Sequence, residues 1–308
     1  MILQLVLKLS EDLLIPIDTL RSLIRSAPHR YKTYYIRKRS NSGFRLIAQP
    51  AKEVKILQYW VIKNIFPALP VHNVATAYLK QKGIKNNAEQ HKDNSFLLKL
   101  DFKNFFPSIN DNDFRFIARN QRNLSLDEHD ILLLSKILFW QPKGHNSLRL
   151  SIGAPSSPIL SNAVMFQFDE LLYDYCESNK IVYTRYADDM TFSMQNGKER
   201  KFIISAIQDI LSRISHPKLT LNDSKTIFSS KANRRLITGL IISNDGHVTI
   251  GRDKKRLLRS QIHHYIGGKL SKKEIDKLKG TIAFVKSIEP KFIDALLSKY
   301  DIKHFKDL

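Results

Sequence analysis

Cysteine is almost absent from this chain, which has one, Cys176, among its 308 residues. A single thiol cannot form an intramolecular disulfide or supply a cysteine-rich zinc site. Long apolar runs are missing too, since no continuously apolar stretch approaches the roughly 18 residues of a membrane-spanning helix. The apolar N-terminal run contains Lys8 and lacks the cleavage site of a signal peptide. We therefore expect a soluble, cytoplasmic protein with no membrane partner, in which Cys176 lies buried in a helix.

Linker-like composition is also scarce. The chain has no Pro-rich or Gly/Ser-rich segment, no internal repeat and no low-complexity tract. Hydrophobic residues make up 43% of the chain and aromatic residues 10%, a composition typical of a folded protein. The length favours about two structural units, although one compact unit with a smaller appendage fits equally well.

Acidic residues are outnumbered: 29 Asp and Glu face 50 Lys and Arg, which gives a formal net charge of +21. Such an excess indicates a polyanionic partner. Nucleic acid is the leading interpretation, because Lys and Arg bound to a phosphate backbone release its counterions. The alternative is a basic surface that only aids solubility.

Periodicity predicts an α+β chain with an antiparallel sheet. We predict helices over residues 10–26, 51–66, about 125–140 (with a Ser125/Glu128 capping box), about 157–178, 253–265, 271–287 and 290–300. Strands are predicted in a basic hairpin over 31–49 with Asn41, Ser42 and Gly43 at its turn, in FLLKLD (96–101), in a hairpin around Ala187-Asp188-Asp189, and in a hairpin turning at Asn244-Asp245-Gly246. The last fifty-odd residues should form a separate helical subdomain.

Three aspartates stand at the ends of predicted strands. Asp188 and Asp189 lie together at a hairpin turn, and Asp101 closes FLLKLD. Adjacent carboxylates oppose each other's ionisation unless a cation neutralises them. Mg²⁺ prefers such hard oxygen ligands, and two ions roughly 4 Å apart can activate a hydroxyl and steady a leaving oxygen. An Asp-Asp pair alone also fits a solvated turn, but aspartates ending neighbouring strands can converge on one metal pair.

The segments around these aspartates resemble a known family. Tyr186-Ala187-Asp188-Asp189 resembles the catalytic hairpin of reverse transcriptases, and DFKNFFPSI, residues 101–109, resembles their first aspartate motif. The resemblance implies a right-hand polymerase fold with fingers, a palm of antiparallel sheet plus helices, and a C-terminal helical thumb. On that basis residues 1–95 are assigned to the N-terminal helix and fingers, 96–250 to the palm with some finger elements, and 251–308 to the thumb.

The same resemblance implies a metal site. Asp101, Asp188 and Asp189, with the Phe102 carbonyl, are expected to hold two Mg²⁺ ions, for which Mn²⁺ could substitute. Asp189 either binds a metal directly or acts mainly through the electrostatic field of its negative charge.

Four residues are expected to bind the deoxynucleoside triphosphate. By resemblance, Phe106 excludes a ribose 2′-hydroxyl, Arg45 grips the triphosphate, Gly153 in GAPSSP lies beneath the nascent base pair, and Lys225 protonates or steadies pyrophosphate. The alternatives are a core role for Phe106, a solvated basic hairpin at Arg45 and an ordinary exposed lysine at Lys225. Ser151-Ile152 replaces the family's usual Pro-Gln, so the hydrogen bond of that glutamine is not carried over.

Two elements narrow the family to retron reverse transcriptases. Asn87-Ala88-Glu89-Gln90-His91 resembles their Asn-Ala-x-x-His element, and residues 236–240, LITGL, are similar to their Val-Thr-Gly element with isoleucine replacing valine. Residues 278–300 resemble the end of the retron thumb. Asn87 and His91 are expected to contact RNA, with structural support as the alternative for His91, which has no second His or Cys at metal-ligand spacing.

RNA is also expected to bind the C-terminal tail. Residues 252–308 carry 15 Lys plus Arg against 7 Asp plus Glu, and Lys254, Lys255 and Arg256 cluster at its start. Much of the phosphate-binding surface is therefore expected there.

The resemblance implies an RNA-directed DNA polymerase that copies its own structured noncoding RNA (msr-msd), starting from a guanosine 2′-hydroxyl, into branched RNA-linked single-stranded DNA (msDNA). It further implies a role in antiphage defence with a separate effector protein. Since no RNase H segment is recognisable, template removal is expected to need a host RNase H. The alternatives are a group II intron-like reverse transcriptase, disfavoured by the absence of a maturase extension, and a polymerase-fold RNA scaffold or antitoxin that makes no DNA.

Overall fold

The structure is a computed structural model of the chain, and it describes residues 4–38, 43–80, 82–121, 123–300 and 302. Asn41 and Ser42 of the predicted first turn lie outside the described residues. The α-helices are α1 Gln4–Leu13, α2 Ile17–Ser26, α3 Lys52–Asn64, α4 Ile84–Glu89, α5 Phe105–Ser108, α6 Asp111–Asn120, α7 Glu128–Leu138, α8 Ser157–Val164, α9 Phe166–Ser178, α10 Arg200–Arg213, α11 Arg252–Ile266, α12 Lys272–Ile288 and α13 Pro290–Lys299. The strands are β1 Tyr31–Arg37, β2 Phe44–Pro50, β3 Phe96–Asp101, β4 Val182–Tyr186, β5 Asp189–Met194, β6 Ile227–Ser230, β7 Arg235–Ile237, β8 Leu240–Ile242 and β9 Val248–Thr249.

The strands form antiparallel sheets, as the α+β prediction required. Within the described residues, β1 pairs with β2, the central sheet has the order β4-β5-β3-β6, and β7, β8 and β9 form a third sheet. The predicted hairpins at Ala187–Asp189 and at Asn244–Gly246 are confirmed, as are the three C-terminal helices.

One predicted N-terminal helix is two helices. The prediction of a continuous helix over 10–26 was wrong, because Pro16 separates α1 from α2. Proline has no amide hydrogen to donate, and it drives the preceding residue out of the helical conformation. Leu14, just after α1, has φ +52, so the chain turns sharply before α2 begins.

Two further helix predictions needed correction. The N-cap of α7 is Asp127 and not Ser125, because the Asp127 carboxylate accepts a hydrogen bond from the Asp130 amide at 2.8 Å. The predicted helix over 157–178 is divided at Met165, whose ψ of −1° takes it out of regular helical geometry. The bend keeps apolar side chains of both halves in the core, as fully buried Leu160 and Phe168 show.

Two hydrophobic cores hold these elements. The larger joins α1–α3 and α6–α10 to the central sheet, and it contains Cys176, buried in α9 as predicted. The smaller joins the third sheet to α11–α13 and also takes in Ala88 and Leu97. Because Leu97 lies on β3, the smaller core abuts the central sheet. The boundary assigned at residues 250 and 251 stays a prediction, since side chains from both of its sides share this core.

No helix in the described part of the chain combines the length and apolar character that crossing a membrane requires.

Candidate active site

The three predicted aspartates converge at one end of the central sheet. β3 runs antiparallel to β5, and their register places Asp101 directly opposite Asp189. β5 also pairs with β4, so that Tyr186 faces Asp189 across a two-residue turn formed by Ala187 and Asp188. Directly opposed residues of paired strands have Cβ atoms roughly 5 Å apart. The register therefore brings two carboxylates together, and the turn adds the third.

The carboxylates raise one another's affinity for protons. Burial, followed by the negative charges of Asp101 and Asp189, raises the pKa of Asp188 to about 6. Burial also raises the pKa of Asp189, with Lys99 opposing the shift and Asp101 adding to it. Negative charge gathered in a partly buried site favours a compensating cation.

Lys225 supplies one such positive charge. Its Nζ donates to both carboxylate oxygens of Asp101, each at 2.9 Å, across 124 residues of sequence. The contact forms because the chain before Lys225 runs beside the end of β3, where the Asn222 amide donates to the Asp101 carbonyl at 2.7 Å. Lys225, predicted from a short motif, thus lies at the site.

The donor set fits a divalent metal ion. Among the residues that the structure describes, no three His, Cys, Asp or Glu side chains are already arranged as a metal cluster, and the Lys225 ammonium lies against Asp101. The chemistry of the donors nonetheless suits a hard divalent cation, because three carboxylates share one strand end. Asp101, Asp188 and Asp189 are the residues that would hold the ion.

A row of phenylalanines follows Asp101. Phe102 is 1% exposed and stacks on Phe105, with ring centroids 5.8 Å apart. Its side chain is core, so only its backbone carbonyl could reach a metal. Phe106, in α5, is half-buried and meets Phe105 edge to face. Phe105 is buried, whereas Phe106 packs against the core and keeps part of its side chain exposed.

Gly153 and Arg45 belong to neighbouring segments. Gly153 has φ +132, and a Cβ built there would lie 2.9 Å from the carbonyl oxygen of Ala48 in β2. The close approach that requires glycine is therefore to strand β2, which also binds the Ile152 carbonyl through the Ala48 amide. Arg45 lies exposed near the start of β2. The sheet β1–β2 is thereby fastened beside the segment that contains Gly153.

Comparison with known proteins decides the family. The model of the family "Reverse transcriptase (RNA-dependent DNA polymerase)" matches residues 36–267. Three retron reverse transcriptases of Escherichia coli are similar over nearly the whole chain: Ec83 at 37% identity (93% of this chain, 92% of the relative), Ec86 at 35% (93% and 87%) and Ec73 at 32% (93% and 93%). This chain belongs to the retron reverse transcriptases. It is an RNA-directed DNA polymerase, of a family that generally uses divalent metal ions.

Two solved telomerase structures are also similar. The apo telomerase of Candida tropicalis has 15% identity and a TM-score of 0.44, covering 70% of this chain and 54% of that chain. The telomerase of Candida albicans with a telomeric RNA fragment has 10% identity and a TM-score of 0.49, covering 90% and 58%. The chain spans somewhat more than half of either telomerase.

The asparagine and the histidine of the Asn-Ala-x-x-His element are buried in this reverse transcriptase. Asn87 and His91 are each 0% exposed. The His91 ring nitrogens lie 2.8 Å from the Ser193 hydroxyl and 2.7 Å from the Thr184 hydroxyl, which itself donates to Asn87. Burial lowers the pKa of His91 to about 3, so the ring is neutral. The expectation that these side chains contact RNA does not fit their burial. For His91 the geometry fits the alternative of structural support, because its ring joins Thr184 of β4 to Ser193 of β5.

The basic cluster at the start of α11 is divided in its contacts. Lys254 and Arg256 are exposed, and Lys254 donates to the Gly239 carbonyl at 3.1 Å. Lys255 is half-buried and pairs with Glu289. Two residues of this basic cluster, Lys254 and Arg256, therefore present their side chains to solvent, while Lys255 is held within the fold.

Several residues near the site were not predicted. The Tyr78 ring is 45% exposed and lies 6.4 Å from that of Tyr186. Burial and the negative charge of Asp188 raise the pKa of Tyr78, while the positive charge of Arg45 lowers it. Arg185 was not predicted either. An arginine inside the strand VYTRY is a signal in the sequence, because a buried arginine needs a buried acidic partner, which here is Asp169.

Proposed function

We propose that this reverse transcriptase extends a primer by metal-assisted attack of a 3′-hydroxyl on the α-phosphate of a deoxynucleotide, at a site formed by Asp101, Asp188 and Asp189. The supporting observation is the register that sets Asp101 opposite Asp189 beside the Asp188 turn. When bound, Mg²⁺ lowers the pKa of the attacking hydroxyl and offsets charge on the departing pyrophosphate. The carboxylates, together with the Phe102 carbonyl, would hold the ions, and the positive charge of the ions would offset the raised proton affinity of Asp188 and Asp189.

Four residues are proposed to handle the nucleotide. The Arg45 guanidinium suits a triphosphate, and its strand is fastened to the segment of Gly153 through the Ala48 amide. Phe106 offers its exposed edge to the sugar and excludes a 2′-hydroxyl. The Lys225 Nζ lies 2.9 Å from the Asp101 carboxylate. From there Lys225 is proposed to donate a hydrogen bond to the pyrophosphate oxygens as pyrophosphate leaves the α-phosphate.

The template is proposed to be a structured noncoding RNA (msr-msd) primed from a guanosine 2′-hydroxyl, which would give branched msDNA. This rests on the retron relatives and on the net charge of +21. Lys254 and Arg256, both exposed, are the proposed RNA contacts at α11. We further propose that a host RNase H removes the template and that the enzyme acts in antiphage defence with a separate effector protein. Its proposed location is the cytoplasm, and its proposed metal ion is Mg²⁺.

The double substitution Asp188→Asn/Asp189→Asn tests the site. Each change keeps the side-chain shape and removes a charge, so labelled deoxynucleotide incorporation should be abolished while RNA binding in a filter assay persists. Incorporation at the wild-type rate would refute the site. A chain that binds its co-purified RNA and yields no branched DNA even as wild type would favour the scaffold alternative.

Phe106→Ala tests the sugar contact. Removing the ring should raise the use of ribonucleotides relative to deoxynucleotides by about tenfold or more, since steric exclusion is lost. Phe106→Tyr is the matched control, because it keeps the ring and should keep the discrimination. If Phe106→Ala has the wild-type ratio of kcat/KM for ribonucleotides to kcat/KM for deoxynucleotides, Phe106 has only a role in the core.

A further inference from the structure

Two residues beside the carboxylates have left-handed backbone conformations without being glycine. Ala187, which precedes Asp188 in the turn, has φ +59, and Tyr78 has φ +62. L-residues avoid this region because Cβ approaches a carbonyl oxygen. Such conformations persist where surrounding contacts enforce them, and they concentrate at functional sites. The contacts that enforce these two conformations are therefore candidates for a role in arranging the site.

One buried network reaches both turns. Nη1 of Arg185 donates to the Ala187 carbonyl at 3.0 Å and to Oδ1 of Asn162 at 3.2 Å. Nδ2 of Asn162 in turn donates to the carbonyl of Ala77 at 2.9 Å, in the peptide that precedes Tyr78. The side-chain contact between Arg185 and Asn162 thus joins the catalytic turn, Ala187-Asp188, to the loop over residues 74–78, called the Tyr78 loop below.

Asp169 fixes the orientation of that arginine. The guanidinium donates from Nε to Oδ1 at 2.8 Å and from Nη2 to Oδ2 at 2.5 Å, and the Tyr183 hydroxyl donates to Oδ1 at 2.9 Å. Asp169, Arg185 and Asn162 are each 0% exposed. A bidentate pair of this kind sets direction as well as charge balance, because the planar guanidinium can point its remaining donors only one way.

The backbone of Arg185 holds the same loop a second time. Its amide donates to the Val74 carbonyl at 2.8 Å, and its carbonyl accepts from the Thr76 amide at 2.9 Å and the Thr76 hydroxyl at 3.1 Å. The loop before Tyr78 is therefore fastened to β4 through both main chain and side chain.

We propose that Asp169, Arg185 and Asn162 are positioning residues, which hold the Asp188 turn and the Tyr78 loop in one relative arrangement for nucleotide addition. The inference rests on the proposed role of Asp188. Without the network, the Ala187 peptide is free to rotate out of its left-handed conformation, and the Asp188 carboxylate moves with it. The metal ligand is then misplaced, while the surfaces that bind primer and template are unchanged.

The direct test is Arg185→Lys, with Arg235→Lys as the matched control. Lysine keeps a positive charge for Asp169, but it lacks the fork that serves Asn162 and Ala187 together. Arg235 is another buried arginine, which donates to the carbonyls of Asn94 and Ser243. Both changes remove buried arginine hydrogen bonds, so both should lower Tm.

Only the Arg185 change should alter the site. We expect kcat to fall by about tenfold to a hundredfold with little change in the KM of the deoxynucleotide. Mn²⁺ binding, measured by the loss of the free-ion EPR signal, should weaken several-fold. Arg235→Lys should leave kcat and Mn²⁺ binding at wild-type values.

Asn162→Ala covers the case in which Arg185→Lys does not fold, because it keeps the Arg185–Asp169 pair and removes only the side-chain link between the catalytic turn and the Tyr78 loop. Wild-type kcat and Mn²⁺ affinity in Asn162→Ala overturn the proposal, as do equal losses of kcat in the two arginine variants. If Asp188→Asn/Asp189→Asn is inactive while these variants bind Mn²⁺ normally, the positioning role fails and the catalytic site stands. If that double variant remains active, the proposed site itself is wrong.

Discussion

The two faces of the β4–β5 hairpin make different kinds of buried side-chain contact, charged on one face and uncharged on the other. Alternation along β4 directs Arg185 to one face and Thr184 to the other. On the first face a charged pair, Arg185 with Asp169, reaches the turn through the Ala187 carbonyl. On the second, His91 joins Thr184 of β4 to Ser193 of β5 through uncharged hydrogen bonds. One face therefore contacts the catalytic turn, and the other contacts only the strands that lead to it.

This difference separates two kinds of support. Hydrogen bonds to strand side chains stabilise the hairpin as a whole, but they do not determine the backbone conformation of the turn. A donor that contacts the turn carbonyl determines where Asp188 lies. We expect changes on the charged face to affect activity and stability together, and changes on the neutral face to affect stability alone.

The largest expected effect comes from breaking the charged pair. Asp169→Leu leaves the Arg185 guanidinium buried without its partner and should lower the free energy of unfolding by about 3–5 kcal/mol. The double variant Asp169→Leu/Arg185→Met buries no unpaired charge and should recover most of that loss. Chemical denaturation of both variants measures the difference. A single variant as stable as the double one would show that the pair is not buried as described.

The neutral face should respond to acid. The pKa of His91 in the folded protein, about 3, lies below its ordinary value of 6.5, so the unfolded chain takes up the proton first. The stability contribution is complete above about pH 6.5 and is lost as pH falls towards 3, at about 1.4 kcal/mol per unit. From pH 7 to pH 5 the loss is about 2 kcal/mol.

His91→Gln removes that dependence, and the exposed His145, changed to Gln, is the control. Urea denaturation at pH 7 and pH 5 should show a smaller acid loss for His91→Gln than for wild type, and an unaltered loss for His145→Gln. Identical acid losses in all three proteins would contradict a buried, neutral His91.

The smallest expected effect is that of Ser193→Ala. His91 loses one of its two partners, and the Asn94 side chain loses its contact with Ser193. A loss of about 1 kcal/mol is expected, with kcat unchanged. A large fall in kcat with little loss of stability would erase the distinction between the two faces.

Local patterns predicted much of this site. A strand that ends on Asp101 and a hairpin that turns at Asp188 are readable within a few residues, and both were found where expected. The contacts between them were not readable, because Lys225 reaches Asp101 across 124 residues and Asn162 reaches Ala77 across 85. Such contacts depend on how helices pack against the sheet.

Burial was the other quantity that sequence could not supply. Asn87 and His91 looked like polar residues free to contact RNA, yet the smaller core takes in Ala88 between them. Polar side chains enter a core when partners satisfy them, and here the partners come from strands about a hundred residues later. The helix break at Met165 likewise reflects packing on the core and no local breaker such as glycine or proline.

The most direct test of the account is the stoichiometry of Mn²⁺ bound by the protein with primer–template and a non-hydrolysable deoxynucleotide, measured by EPR. If Asp101, Asp188 and Asp189 form the metal site, wild-type protein should bind about two ions per chain, and Asp188→Asn/Asp189→Asn should bind fewer than one. Equal stoichiometry in the two proteins would contradict the assignment of the catalytic centre to this strand end.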